Sequence, residues 1–192
     1  MVALVVVVGA AGIAYAAIGS GGASPAATPV SGASEPAAEM QGGSASSGNP
    51  GTWANPALSS LAMQDSEGYP ITLGTLCDGR VTVINVWATW CPYCIDEMND
   101  YQALFDKYGK DIQFIMLDTA DSPSEVQKAA EYVNANGFTF PVFYDDGHAV
   151  CDYFKVHAYP TTIVIGADGT VLNNRPGRIN AAGMDAALAN LV

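Results

Sequence analysis

The sequence holds no lysine or arginine before Arg80, and only seven basic residues against nineteen acidic ones, a formal net charge of −12. A chain this acidic repels phosphate backbones, which argues against nucleic acid as a partner; the charge itself serves solubility. No phosphate-binding glycine pattern or dinucleotide fingerprint occurs, because the glycines from Gly19 to Gly22 sit in a low-complexity stretch. No cofactor is expected. Histidine is down to His148 and His157, and cysteine to Cys77, Cys91, Cys94 and Cys151. Cys77 and Cys151 stand singly in separate segments, so the second tight cysteine pair of a zinc site is missing, and no metal is expected.

The N-terminus lacks charge altogether. Residues 1–18 are rich in Val and Ala, and eighteen helical residues reach about 27 Å, just enough to span a bilayer core. We read 1–18 as a transmembrane signal-anchor, with a cleavable signal peptide as the competing reading because Ala14-Tyr15-Ala16 has the small residues of a cleavage site. With no basic residue beside it, orientation cannot come from the positive-inside rule. No cysteine lies near the segment, which argues against a lipoprotein. Residues 19–56 are Gly, Ser, Ala and Pro with few large apolar side chains before Trp53. Such a segment buries too little surface to offset its ordering entropy and reads as a flexible linker. Residues 57–192 suit one folded domain.

What is present is Trp90-Cys91-Pro92-Tyr93-Cys94, directly after the apolar run Val81 to Trp87 and before a helical pattern. A C-x-x-C on the first helical turn brings two sulfurs together in a small ring that opens and closes cheaply. With Cys91 at the N-cap, the unused N–H groups and the positive end of the helix favour a thiolate, and Pro92 fits the first helical position. Cys94, one turn deeper, is expected to be more buried and to resolve the mixed disulfide that Cys91 forms. A structural disulfide is the bland alternative, but so short a loop removes little unfolded-state entropy. No Lys or His stands between the cysteines, so the helix end supplies most of the thiolate stabilisation. The direction of electron flow stays open, since dithiol proteins extend from about −270 to about −120 mV.

The second anchor is Ala158-Tyr159-Pro160-Thr161-Thr162, running into Ile163-Val164-Ile165 and a turn at Asp168-Gly169. With Asn85 to Cys94, Glu97, Phe140-Pro141-Val142, Asp145-Asp146-Gly147, Tyr153 and Val156, these residues resemble the thioredoxin superfamily, most closely its extracytoplasmic TlpA/ResA/DsbE-like branch. The likeness spans roughly residues 70 to 190. It implies a thioredoxin-like α/β fold, a central mixed β-sheet sandwiched by helices, with the αβ insertion of that branch. It also implies a cis peptide before Pro160 facing the cysteines. A client strand would then lie along Tyr159 and Pro160, with Trp90, Pro92 and Tyr93 on the other side. At Glu97 the resemblance implies an acid-base residue serving the thiols; the bland reading is a carboxylate favourable to the helix dipole. Asn85 stands where cytosolic thioredoxins carry a buried aspartate, and Asn cannot ionise.

Cys77 and Cys151 flank the central strand in sequence. In an oxidising compartment two such thiols default to a bridge, and closing so long a loop contributes up to about 4 to 5 kcal/mol in the chain-entropy model. We expect a structural Cys77–Cys151 disulfide, with buried thiols or a second redox pair as alternatives.

Periodicity gives a buried strand over 81–87, a helix from Pro92 to Tyr108 and a strand from Ile112 to Leu117. A helix follows from a capping box at Ser122-Pro123-Ser124-Glu125 to Gly137. An inserted strand over Phe138 to Phe143, a hairpin from Thr161 to Leu172 and a final helix from Asn180 complete the pattern.

The reading is thus a membrane-tethered, extracytoplasmic thiol:disulfide oxidoreductase exchanging electrons with protein disulfides or dithiols. Its electrons would come from a membrane donor of thiol type, and it would act by resemblance as a reductant, as in cytochrome c maturation or reduction of metal-site cysteines. Alternatives are an oxidase of secreted proteins and a copper-delivery protein using His157, the latter opposed by the short C-x-x-C spacing. A thiol peroxidase is disfavoured because Thr89 lies two residues, not three, before Cys91.

Overall fold

The computed structural model describes Trp53 and residues 55–76, 79–120 and 122–192. The expected anchor, most of the linker, and Cys77 with its expected bridge lie outside the described residues. Among the described residues no helix is long and apolar enough to cross a membrane.

The elements run α1 (Pro56–Ser59), β1 (Ala62–Gln64), β2 (Pro70–Thr72), α2 (Leu73–Leu76), β3 (Val81–Trp87), α3 (Pro92–Tyr108), β4 (Ile112–Asp118), α4 (Pro123–Asn136), β5 (Val142–Tyr144), α5 (Ala149–Phe154), β6 (Thr161–Ile165), β7 (Val171–Pro176) and α6 (Ala181–Ala189). They build one mixed sheet in the order β2-β1-β5-β4-β3-β6-β7. β3 pairs in parallel with β4 and β4 with β5, whereas on its other side β3 pairs antiparallel with β6, and β6 antiparallel with β7.

β3 is central, and every one of its residues is buried, as its nearly unbroken apolar run requires of a strand covered on both faces. Successive side chains alternate between the faces. Val83 and Trp87 of β3, with Phe114 and Met116 of β4, pack beneath Met98, Tyr101 and Leu104 of α3 and Met184 and Leu188 of α6. Ile84 and Val86, with Ile115 and Leu117, face Leu58, Leu73, Val150 and Phe154 of the short helices. Asn85 therefore falls on the α3 side of the sheet, between Val83 and Trp87.

α3 starts where the sequence places a stop and a start together. Cys91 is its N-cap in extended backbone, Pro92 takes the first helical position, and Gly109 closes the end beyond Lys107. Its buried stripe is Cys94, Glu97, Met98, Tyr101, Leu104 and Tyr108, the 3- and 4-residue spacing of one helix face. Burying a side chain such as Met98 contributes about 1.5–3 kcal/mol, and this stripe holds the helix end at the C-terminal edge of β3.

α4 departs from expectation at its start. Ser122 has the extended backbone of an N-cap but makes no side-chain cap bond; its hydroxyl meets that of Ser124. Glu125 does not reach back to close a capping box. It bonds Lys128 and accepts from the Thr89 hydroxyl at 3.3 Å. Gly137 ends α4 in the left-handed conformation, φ 69°, as read. The inserted strand is shorter than the expected 138–143 and begins at Val142: Pro141 has no N–H to give a ladder, and it enters the sheet only through its carbonyl, which accepts from Met116 N–H.

Trp53, within the stretch read as linker, is 5% exposed and belongs to the core on the α5 side. It lies on the turn of the β6–β7 hairpin, where Gly169, at φ 84°, brings its Cα so close that an added Cβ would stand 2.6 Å from Trp53 Cβ and Cγ.

Candidate active site

The C-terminal end of β3 delivers the chain through Ala88, Thr89 and Trp90 to the first turn of α3. There Cys91 and Cys94 are joined as a disulfide, their Cα atoms 5.3 Å apart. The Cys94 N–H donates to Cys91 Sγ at 3.2 Å, so the sulfur of the capping residue takes the place of a capping oxygen for that helix N–H. Cys94 is buried as expected, at 0% exposure, but Cys91 is covered almost as fully, at 4%. Exposure alone separates them little; the cap position is what distinguishes Cys91.

Around them the surface is aromatic. Trp90 and Tyr93 are 57% and 63% exposed, and Pro92 is exposed between the cysteines. The Tyr159-Pro160 peptide is cis, the isomer that the resemblance implied, and Tyr159 meets the Trp90 ring. Trp90, Pro92 and Tyr93 are thus exposed around the two cysteines in the chain, with Tyr159 against the Trp90 ring. The Pro160 carbonyl accepts from Gly177 N–H at 2.8 Å, which ties the loop to the end of β7.

Behind the disulfide lies a buried polar group. Glu97, one helical turn after Cys94, is fully buried. Its Oε1 accepts from Asn85 Nδ2 at 2.8 Å and its Oε2 from the Ile179 N–H at 3.0 Å. Burial pushes the Glu97 carboxyl above its ordinary value, against the lowering effect of those two hydrogen bonds and of Arg178. Arg178 itself lies 3.4 Å from Asp96. One turn further along α3, the Tyr101 hydroxyl and Thr162 Oγ1 share a hydrogen bond of 2.7 Å, and burial with the Glu97 charge raises the phenol far above its usual range. Glu97 therefore holds three pieces together: α3, β3 through Asn85, and the segment after β7 through Ile179.

Sequence reading singled out Glu97, Asn85 and the Thr162 of the second anchor, but not the Asn85–Glu97 contact, the Tyr101–Thr162 bond or the Ile179 N–H. Tyr101 stands at helical spacing with Met98, Leu104, Phe105 and Tyr108 and so reads in sequence as a core position. The signal available was the alternation that turns Asn85 and Thr162 toward the same face as α3.

A different cluster stands on the α5 side. Asp145, His148 and Cys151 place one donor atom each within 4.8 Å of one another. The two Asp145 oxygens also accept the N–H groups of Val150 and Cys151 at 3.1 and 2.8 Å, which caps α5 from its N-terminal side. His157 is exposed.

This geometry accords with the comparisons. The family model described as the AhpC/TSA family matches residues 55–173. The chain belongs to the AhpC/TSA family. It is similar to the thiol-disulfide oxidoreductase ResA of Bacillus thuringiensis, at 34% identity over 113 residues, covering 58% of this chain and 63% of that one. It is also similar to the sporulation thiol-disulfide oxidoreductase A of Bacillus subtilis, at 24% identity over 67% of this chain and 76% of the relative. The chain thus spans less than two thirds of the ResA relative's length. The solved structure of MTB dsbF superimposes with a TM-score of 0.62 at 22% identity, covering 71% of this chain and 98% of that one. The fold is that of the thioredoxin-like proteins to which the family's StoA and DsbE-type structures belong.

Proposed function

We propose that the protein is a thiol:disulfide oxidoreductase acting on protein disulfides through Cys91 and Cys94, in the reducing direction, on the extracytoplasmic side of a membrane. Residues 1–18 would anchor it, 19–56 would tether it and 57–192 would carry the chemistry, re-reduced by a membrane donor of thiol type. The observation that carries this reading is the Cys91–Cys94 disulfide at the start of α3, with Cys91 capping the helix. The names of the ResA and StoA relatives favour the same chemistry.

In the reduced protein, the Cys91 thiolate attacks one sulfur of the client disulfide. That S–S bond breaks, and the departing client sulfur leaves as a thiolate that takes a proton from solvent. The client is then held as a mixed disulfide on Cys91. Glu97 accepts the Cys94 proton, Cys94 attacks Cys91 Sγ, and the mixed disulfide breaks to release the second client thiolate. Two electrons pass to the client, and Cys91–Cys94 is left oxidised. Burial suits Glu97 to this step, because a carboxyl with raised proton affinity lies nearer a thiol in acidity than an exposed one does. Trp90, Pro92, Tyr93, Tyr159 and Pro160 would line the client's path.

The test is disulfide exchange by the purified full chain. The reduced protein should cleave protein disulfides, and a Cys94→Ser variant should accumulate a mixed disulfide that Cys91→Ser cannot form. A wild-type chain that exchanges with neither dithiothreitol, glutathione disulfide nor a protein disulfide would overturn the proposal.

A further inference from the structure

We propose that Asp145, His148 and Cys151 form a binding site for a zinc-class divalent cation, with three protein ligands and a fourth position left to water. The site goes beyond the redox chemistry of Cys91 and Cys94 and does not rest on it.

One turn of chain brings the three donors together. Asp145 directly follows β5, the His148 N–H donates to the Asp145 carbonyl at 3.0 Å, and Cys151 lies in the first turn of α5. One donor atom of each lies within 4.8 Å of the other two. A tetrahedral zinc ion, with bonds of about 2.0–2.2 Å to N and O and about 2.3 Å to S, sets its ligand atoms about 3.3–3.6 Å apart. Closing the difference takes about an ångström of movement at a side-chain tip, which the broad terminal torsion of a histidine allows. His148 is only half-buried, so its ring has solvent to move through and gives an ion its way in.

Asp145 is the fixed member. It is fully buried, and its two oxygens accept the N–H groups of Val150 and Cys151. Those bonds orient the carboxylate as outer partners orient a metal ligand. Each takes one lone pair and leaves another on the same oxygen for a cation. Among the described residues no lysine or arginine pairs with Asp145, so its buried charge is met by backbone dipoles. Buried charges are ordinarily paired or coordinate metals, and a cation between Asp145 and Cys151 supplies the opposite charge.

The donor set chooses the ion. Thiolate and imidazole suit zinc and its neighbours among the transition metals, whereas magnesium and calcium take oxygen ligands. On binding, the Cys151 thiol gives its proton to solvent, a sulfur–metal bond forms, and no electron changes hands. The same residue types also build cysteine–histidine nucleophiles, but Cys151 is 4% exposed, and a sulfur so covered is out of reach of an acyl substrate. Cys151 packs with Ile84 and Val86 on one face of the sheet, whereas Cys91 and Cys94 pack with Val83 and Trp87 on the other. The cation site and the redox site therefore lie on opposite faces. Cys151 serves either a cation or the bridge to Cys77 expected from sequence, so the site forms in the reduced chain.

Cobalt(II) is the probe, because its absorption spectrum reports both coordination number and sulfur ligation. The reduced full chain carrying Cys77→Ser, Cys91→Ser and Cys94→Ser keeps Cys151 as its one thiol. It should bind one cobalt ion, with the intense visible bands of a four-coordinate ion and a near-ultraviolet sulfur-to-cobalt band, and zinc should displace it. Adding Cys151→Ala should remove the sulfur band. Adding His148→Asn, which suits the left-handed backbone at φ 55°, should weaken cobalt and zinc binding at least about tenfold. In the reduced wild-type chain, where Cys91 and Cys94 can hold an ion of their own, His148→Asn should lower the zinc bound per chain by one equivalent. That readout decides the matter if the triple variant does not fold. No cobalt binding by a triple variant with wild-type circular dichroism, binding without a sulfur band, or an affinity or stoichiometry that His148→Asn leaves unchanged overturns the proposal.

Discussion

The Trp90 and Tyr159 rings meet edge to face, centroids 5.5 Å apart and planes at 81°. One ring belongs to the loop that delivers Cys91 and the other to the residue before Pro160. The contact therefore borders the surface that the proposed function gives a client to cross. Aromatic pairs of this geometry are worth about 0.5–1.5 kcal/mol beyond their buried area.

Truncating either ring should weaken protein clients and spare small ones. With the proposed function in place, Trp90→Ala and Tyr159→Ala should each raise KM for a protein disulfide about 2- to 10-fold, the range those energies convert to. The rate with a small aromatic disulfide should change less. A double-mutant cycle on KM should return a coupling between the two positions; strictly additive losses would mean that the rings act separately.

The two cysteines should differ in reactivity because of where α3 starts. Cys91 is the cap that the Cys94 N–H points at, whereas Cys94 is inside the first turn with no exposure. In reduced single variants at neutral pH, iodoacetamide should modify Cys91 in Cys94→Ser about ten times faster or more than Cys94 in Cys91→Ser. Equal rates would contradict the assignment of Cys91 as the attacking sulfur.

The elements legible in sequence were those whose own residues determine them. β3 was readable because a run buried on both faces is apolar throughout, and α3 because proline, cap and a 3- to 4-residue stripe coincide. α5 was not readable. It starts from His148, whose backbone is left-handed at φ 55° and whose side chain makes no cap bond; the cap comes instead from Asp145, further back in the chain. The Ser122 pattern failed for the opposite reason. Its Glu125 has one oxygen on Lys128, three residues on, and the other on the Thr89 hydroxyl, 36 residues away, so neither turns back to the cap. At the site, residue types pointed to Cys91, Cys94 and Glu97. The Asn85–Glu97 bond depended on which faces of β3 and α3 oppose each other, and that is decided by packing rather than by spacing.

Gly169 should tolerate no side chain, for two separable reasons. Its φ of 84° costs an L-residue about 1–2 kcal/mol, and a Cβ would collide with Trp53 at 2.6 Å. Gly137 shares the first problem, at φ 69°, with open space around it. Gly169→Ala should therefore lower unfolding free energy in urea by more than Gly137→Ala does. It should also change Trp53 fluorescence in the native state, which Gly137→Ala should not. Equal costs would show that Trp53 moves aside freely.

Glu97 makes stability depend on pH, and the sign follows from its raised proton affinity. Between the ordinary carboxyl value of 4.5 and the higher folded value, the native state binds more protons than the unfolded chain. Stability from this group is thus fully present below the unfolded value and is lost as pH rises through the folded one. Glu97→Gln removes the ionisation while keeping one acceptor oxygen for the two donors that Glu97 serves, Asn85 Nδ2 and the Ile179 N–H. Its stability relative to wild type should increase with pH across that window and level off above it, as followed by urea unfolding at a series of pH values in the oxidised protein. A difference that shrinks with rising pH would mean that the hydrogen bonds from Asn85 and Ile179, with the Arg178 charge, outweigh burial and favour the carboxylate. In that case Glu97 would be ionised throughout, a clip between α3 and the segment after β7 and a poor acceptor for the Cys94 proton.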